Sequence, residues 1–130
     1  PWAASPAYNV PQGMFGIEPL MPGYEEFRVR PQPAGVPWAH VTLPTLRGRI
    51  GAAYATTDRG IDVGVSVPGN SRAEVLVPAP SGEQVFLDGR PVHATREGSY
   101  LVIQDVPSGC HVISTSSGES PEVERLRAVC

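Results

Sequence analysis

Ile61-Asp62-Val63-Gly64-Val65-Ser66-Val67 is the cleanest alternation in the chain. Ile61, Val63, Val65 and Val67 fall on one face, and Asp62, Gly64 and Ser66 on the other. A period of two is the signature of a half-buried strand. Pro68-Gly69-Asn70 stops it, as a Pro-Gly cluster should. The same reading extends outward in both directions. Residues 26–32 set Phe27 and Val29 opposite Arg28 and Arg30, and end at Pro31 and Pro33. Residues 38–43 set Val41 and Leu43 opposite Trp38, His40 and Thr42, and residues 49–55 keep Ile50, Ala52 and Tyr54 in phase. Beyond the central strand, residues 72–77 form another. Val85-Phe86-Leu87 and Pro91-Val92-His93 then flank Asp88-Gly89, a strong hairpin turn signal. Residues 100–106 and 109–115 are the last pair. About eight short strands at roughly 8–12-residue spacing predict an all-β chain folded as an antiparallel β-sandwich.

The bulk numbers agree with one such domain. The chain has 130 residues, 41% of them hydrophobic, with 15 Pro and 14 Gly. That is enough for one core and too much turn-forming residue for long helices. A net charge of −3 gives no basic footprint for nucleic acid or an anionic membrane. No apolar run approaches the roughly 20 residues of a membrane span. Neither nucleic acid nor membrane is therefore expected as a partner. The chain opens on Pro1 and reads as a piece of something longer. Its compartment stays open, with secretion slightly favoured over the cytoplasm. Ser120-Pro121-Glu122 has the form of a helix start, so the tail, 117–130, is expected to carry one or two helical turns.

A search for chemistry finds little. His40, His93 and His111 sit on different strands without metal-ligand spacing, and no phosphate loop is present. Ser5, Ser108 and Ser117 lack a nucleophile-elbow context. Asp58, Asp62, Glu74, Glu83, Asp88, Glu97 and Asp105 fall in turns or on polar strand faces, and read as solvated surface. Glu25 and Glu26 are adjacent, so in a strand they point to opposite faces. No catalytic residue, metal site or cofactor is expected in this chain. Among the aromatics, Trp38 is the best candidate for a sugar-stacking platform, because it shares its face with His40 and Thr42. Cys110 and Cys130 leave two readings open. Paired, they would close about 20 residues and add roughly 3 kcal/mol. Otherwise Cys110 is a small core residue and Cys130 a terminal thiol, the commoner situation for such cysteines.

The stretch before the central strand carries a resemblance. Pro1-Trp2-Ala3-Ala4-Ser5-Pro6-Ala7-Tyr8 is followed by Gly16-Ile17-Glu18-Pro19-Leu20-Met21-Pro22-Gly23-Tyr24 and by Phe27-Arg28-Val29-Arg30-Pro31-Gln32-Pro33. Trp38-Ala39-His40-Val41, Pro44-Thr45 and Gly48 come next. Together these resemble the C-terminal part of bacterial α-L-rhamnosidases. Val65 to Pro68, Ala73-Glu74-Val75, Asp88-Gly89 and Ser108-Gly109 agree with it more generically. The resemblance spans about residues 1–115, and its first third is the specific part.

The resemblance implies an organisation and a role. Residues 1–24 would be the end of an (α/α) barrel and its linker, residues 25–116 the C-terminal β-sandwich, and residues 117–130 a tail. The parent would be an inverting glycoside hydrolase that removes terminal α-L-rhamnose, using two acids in the barrel. Nothing in this sequence matches those acids. The family's usual His, two positions before the Trp that matches Trp2, falls just outside the chain. Trp2 would line the sugar site of the intact enzyme or pack within the barrel. The chain itself would be a non-catalytic scaffold domain packed against the barrel of the same protein, with Arg28 and Arg30 contributing at the seam. A rhamnosylated glycan or glycoside would be the parent's substrate. The alternative is a carbohydrate-binding module. Residues 2–17, without their barrel, are expected to be exposed or disordered, leaving an apolar patch that favours self-association.

Overall fold

The computed structural model describes residues 15–32, 37–57, 60–79, 84–115 and 126–127. Its strands are β1 (Glu18–Pro19), β2 (Glu26–Val29), β3 (Trp38–Thr45), β4 (Gly48–Thr57), β5 (Gly60–Val67) and β6 (Arg72–Pro78), followed by β7 (Val85–Leu87), β8 (Arg90–Val92), β9 (Thr95–Glu97), β10 (Tyr100–Val106) and β11 (Gly109–Ser114). They form two sheets. One runs β1-β2-β6-β10-β9 and the other β3-β4-β5-β11-β7-β8. Every pairing is antiparallel except β2 with β6, which is parallel, with Phe27 opposite Ala73 and Val29 opposite Val75.

The alternation read from the sequence becomes the core. Phe27, Val29, Val75, Val77, Leu101 and Ile103 face Ile50, Tyr54, Val63, Val65, Val85 and Ile113 across one buried cluster. This is the two-layer solution to burying one face of each sheet. Strand β3 keeps its expected phase, with Trp38, His40 and Thr42 on the exposed side. At the Asp88-Gly89 turn both residues take positive φ, +52° and +86°, the signature of a type I′ hairpin.

Three features depart from the expectation. Phe15 and Ile17 are not exposed: each is 1% accessible and belongs to the core. The Phe15 ring lies 5.6 Å from that of Tyr54. The Arg30 N–H donates to the Phe15 carbonyl at 2.8 Å. Between them Gly16 takes φ +57°, where an added Cβ would stand 2.7 Å from the Arg30 carbonyl oxygen. Only glycine lets the chain turn inward so close to Arg30. Residues 1–14 lie outside the described residues.

The second departure concerns Asp62 and Gly64. They were expected on a solvated face, yet Asp62 is 2% exposed and partnered, and Gly64 is buried. Gly64 is covered by Leu126, which packs with Ala53, Ala55 and Val112 in a second, smaller cluster on the outer face of the β4-β5-β11 sheet. Of the helical tail expected in 117–130, Leu126 and Arg127 are described and are helical; its remaining residues lie outside the described set. Third, Cys110 is not a core residue. Alternation along β11 puts Ile113 inward and Cys110, with Val112, on the outer face, and Cys110 is exposed and disulfide-bonded. Cys130, the chain's other cysteine, lies outside the described residues.

Candidate functional site

Two hairpin tips, one from each sheet, meet at one end of the sandwich. The β1–β2 tip carries Leu20, Met21 and Tyr24; the β3–β4 tip carries Leu46. Residues 19–24 and 44–46 line an open groove of about 680 Å³ between them, and none of the lining residues is ionisable except Tyr24. Both walls are held by their own hydrogen bonds. The Leu20 and Met21 N–H groups donate to the Glu26 carbonyl at 2.8 and 3.2 Å. Gly23 and Tyr24 then take φ +68° and +62° to close the tip, and the Tyr24 ring rests 6.4 Å from that of Phe27. On the other wall the Thr45 hydroxyl donates to the Gly48 carbonyl at 2.6 Å and accepts from the Arg47 N–H at 3.2 Å. The Arg47 guanidinium donates to the Asn70 carbonyl at 3.1 Å. Leu46 projects from this wall wholly exposed, at 101%. The groove can bury apolar side chains. It offers no carboxylate pair and no ligand set.

The polar side chains are engaged elsewhere. Arg28 bonds Glu74 at 3.0 Å and Glu18 at 3.4 Å. The Glu74 hydrogen bond, above all, holds the Arg28 guanidinium above its ordinary pKa. Arg28 thus ties β1, β2 and β6 together. The Arg30 guanidinium lies 4.9 Å over the Tyr100 ring, a cation–π contact. The Tyr100 hydroxyl donates to the Pro31 carbonyl at 3.1 Å. Burial pushes the Tyr54 phenol up. Among the described residues no three His, Cys, Asp or Glu side chains converge as a metal site would require.

His111 belongs to a structural clip. Its Nδ1 is 2.7 Å from Asp88 Oδ2 and its Nε2 is 3.0 Å from the Pro107 carbonyl. Asp88 Oδ1 accepts from the Val112 N–H at 2.9 Å, and the Asp88 N–H donates to the Val112 carbonyl at 2.8 Å. Asp88 therefore pins the β7–β8 turn to β11. Replacing Asp88 with Ala should cost about 2–3 kcal/mol, because it strands a part-buried N–H and leaves Ala at positive φ. Asp88→Asn, which keeps an acceptor and tolerates that φ, should recover most of the loss. Urea unfolding of the two variants checks this.

Of the residues singled out from the sequence, Trp2 lies outside the described residues. Trp38 is 40% exposed at the start of β3, stacked on His40 with centroids 6.0 Å apart. It stands apart from the groove. Leu20, Met21 and Leu46 form a surface that the sequence pattern does not mark as a site. The local signal was present: an apolar pair set between prolines, and a lone Leu in a tight turn.

A family model described as bacterial alpha-L-rhamnosidase C-terminal domain matches residues 16–89. The chain is 35% identical over 69 residues to an alpha-L-rhamnosidase of Alteromonas sp. (strain LOR), covering 52% of this chain and 8% of that protein. It is 32% identical over 104 residues to an alpha-L-rhamnosidase of Streptomyces avermitilis, covering 79% of this chain and 9% of that one. Among solved structures, the Streptomyces avermitilis alpha-L-rhamnosidase complexed with L-rhamnose superposes with TM-score 0.68 at 30% identity, over 80% of this chain and 10% of that chain. The alpha-L-rhamnosidase from Dictyoglumus thermophilum gives TM-score 0.69 at 25% identity, over 77% of this chain and 12% of that one. The Aspergillus terreus enzyme, at 23% identity and TM-score 0.56 over 80% of this chain and 10% of that one, shares the fold. The chain thus spans about a tenth of the length of the relatives it matches. With more than half its length matched and its two sheets superposing on theirs, the chain belongs to the bacterial α-L-rhamnosidase C-terminal domain family.

Proposed function

We propose that this chain is the non-catalytic C-terminal sandwich of a larger glycoside hydrolase of the α-L-rhamnosidase kind, and that its work is structural. It packs against the catalytic barrel of the same polypeptide and holds the barrel's end in place. The parent removes terminal α-L-rhamnose from a glycan or glycoside with inversion, using two acids that lie elsewhere in its chain. One observation carries the reading. The model of the family's C-terminal domain matches residues 16–89, and the chain covers only about a tenth of the rhamnosidases it resembles, which supports an accessory segment whose partner, the catalytic part, lies elsewhere in the same polypeptide.

A first test gives the 130-residue chain an aryl α-L-rhamnoside. No turnover is expected, and turnover that copurifies with the folded domain would overturn the non-catalytic reading. Deleting the matched segment from the Streptomyces avermitilis enzyme tests the structural role. Shortened thermal half-life is expected, and unchanged stability and activity would count against it.

A binding role is the second reading, favoured by the exposed Trp38 ring and its His40 neighbour. Titrating L-rhamnose while following the Trp38 indole resonance separates the two. A saturable shift of that resonance and of the neighbouring β3 amides, with the amide shifts lost in Trp38→Ala, would promote the binding module over the scaffold.

A further inference from the structure

We infer that the groove between the β1–β2 and β3–β4 tips is the face on which this domain seats against the catalytic part of its own polypeptide. The inference rests on the structural reading above and names the surface that does the work. Three observations carry it.

The first is concentration. Leu20, Met21, Trp38 and Leu46 are the large apolar side chains exposed among the described residues. Three of these four line the one groove. Single exposed apolar residues are ordinary, but a cluster on a concave surface marks an interaction site.

The second is rigidity. The Thr45 cap, the Arg47 bond to Asn70 and the Glu26 carbonyl fix both tips before any partner arrives. Tyr24 is held at φ +62°, a conformation costly for a bulky residue. A preorganised surface loses less freedom on docking, so a small patch suffices.

The third is the neighbour. In the matched enzymes this segment is covalently part of a chain eight to twelve times its length, since it covers 8–12% of each. Covalent attachment supplies a high effective concentration, which makes a patch of three or four apolar side chains enough. The lining has no charge to match, so the surface that meets it must itself be apolar.

The test has a structural arm and a solution arm. Superposed on the crystal structure of the Streptomyces avermitilis enzyme, residues 19–24 and 44–46 should coincide with surface covered by the rest of that chain. If that surface is open to solvent while the sandwich touches the enzyme elsewhere, the docking face is wrong and the structural role survives. If the sandwich touches the rest of the enzyme nowhere, both fall. In solution, the 130-residue chain should enhance the fluorescence of an apolar dye such as bis-ANS. Met21→Asp with Leu46→Asp should abolish most of that enhancement without lowering the unfolding temperature, and Trp38→Ala should not. Enhancement that survives the double variant overturns the proposal. So does a dimer of the chain that Leu46→Asp dissolves while the equivalent surface of the Streptomyces enzyme is uncovered, because the occupant is then a second copy.

Discussion

Replacing Phe15 with Ala will destabilise the sandwich by about 3–5 kcal/mol, the usual range for a buried Phe removed from a core. The expectation follows from where the ring sits. It is 1% exposed, packs 5.6 Å from the fully buried Tyr54, and shares its cluster with Ile17, Phe27 and Ile50. The surrounding strands cannot collapse into the vacancy, because Tyr54 is fixed in β4, between β3 and β5. Urea unfolding should show a lower midpoint with an unchanged slope, since the area exposed on unfolding hardly alters. Phe15→Leu, which keeps most of the volume, should recover more than half of the loss. A cost below about 1 kcal/mol, the scale of an ordinary surface substitution, would show that residues 15–17 only rest against the sandwich. The domain would then begin near residue 25, as the sequence pattern suggests. The full cost makes the segment before β2 part of the folding unit, and a truncation placed at residue 25 would then remove core.

The difference between those two boundaries shows what was legible in the sequence. Period-two alternation identified β2, β3 and β5 and sorted the face each turns to the main core, because that face is written in the strand's own side chains. It could not say which strand neighbours which. The parallel pairing of β2 with β6 joins residues 46 apart, as in Arg28 opposite Glu74, and nothing local to either strand announces it. Strand β9, Thr95-Arg96-Glu97, is exposed throughout, so it has no buried face to write a pattern. Phe15 is one apolar residue in a mixed stretch, and its burial depends on Gly16 turning the chain under Arg30. The groove escaped for the same reason. Leu20 and Leu46 are separated in sequence and belong to different sheets, so they become one surface only after the tips meet. Of the residues that carry the resemblance, those from Gly16 to Gly48 lie inside the segment that the family model matches, while Pro1 to Tyr8 precede it.

The outer face of β5 carries the other large effect. Replacing Gly64 with Val will detach Leu126 from the sheet and cost about 2–3 kcal/mol, the scale of exposing one buried Leu. Gly64 sits opposite Ala53 on β4 and Val112 on β11. These small side chains leave a shallow seat, and Leu126 fills it to full burial. The backbone of Leu126 crosses so close that a Cβ on Gly64 would overlap its carbonyl oxygen and stand 2.9 Å from its Cβ. One side must move. The sheet is held by ladders on both sides of β5, so the Leu126 side is the one that yields. The cost is therefore capped at what the docking is worth, and does not reach the larger figure that overpacking inside the main core would bring. Leu126→Ala should cost a similar amount by emptying the same seat. The double variant should cost little more than either alone, because a contact can be lost only once. Hydrogen exchange should quicken at Leu126 while the amides of β4 and β5 that face their strand partners stay protected. Additive losses in the double variant would mean that Gly64 matters to the sheet itself.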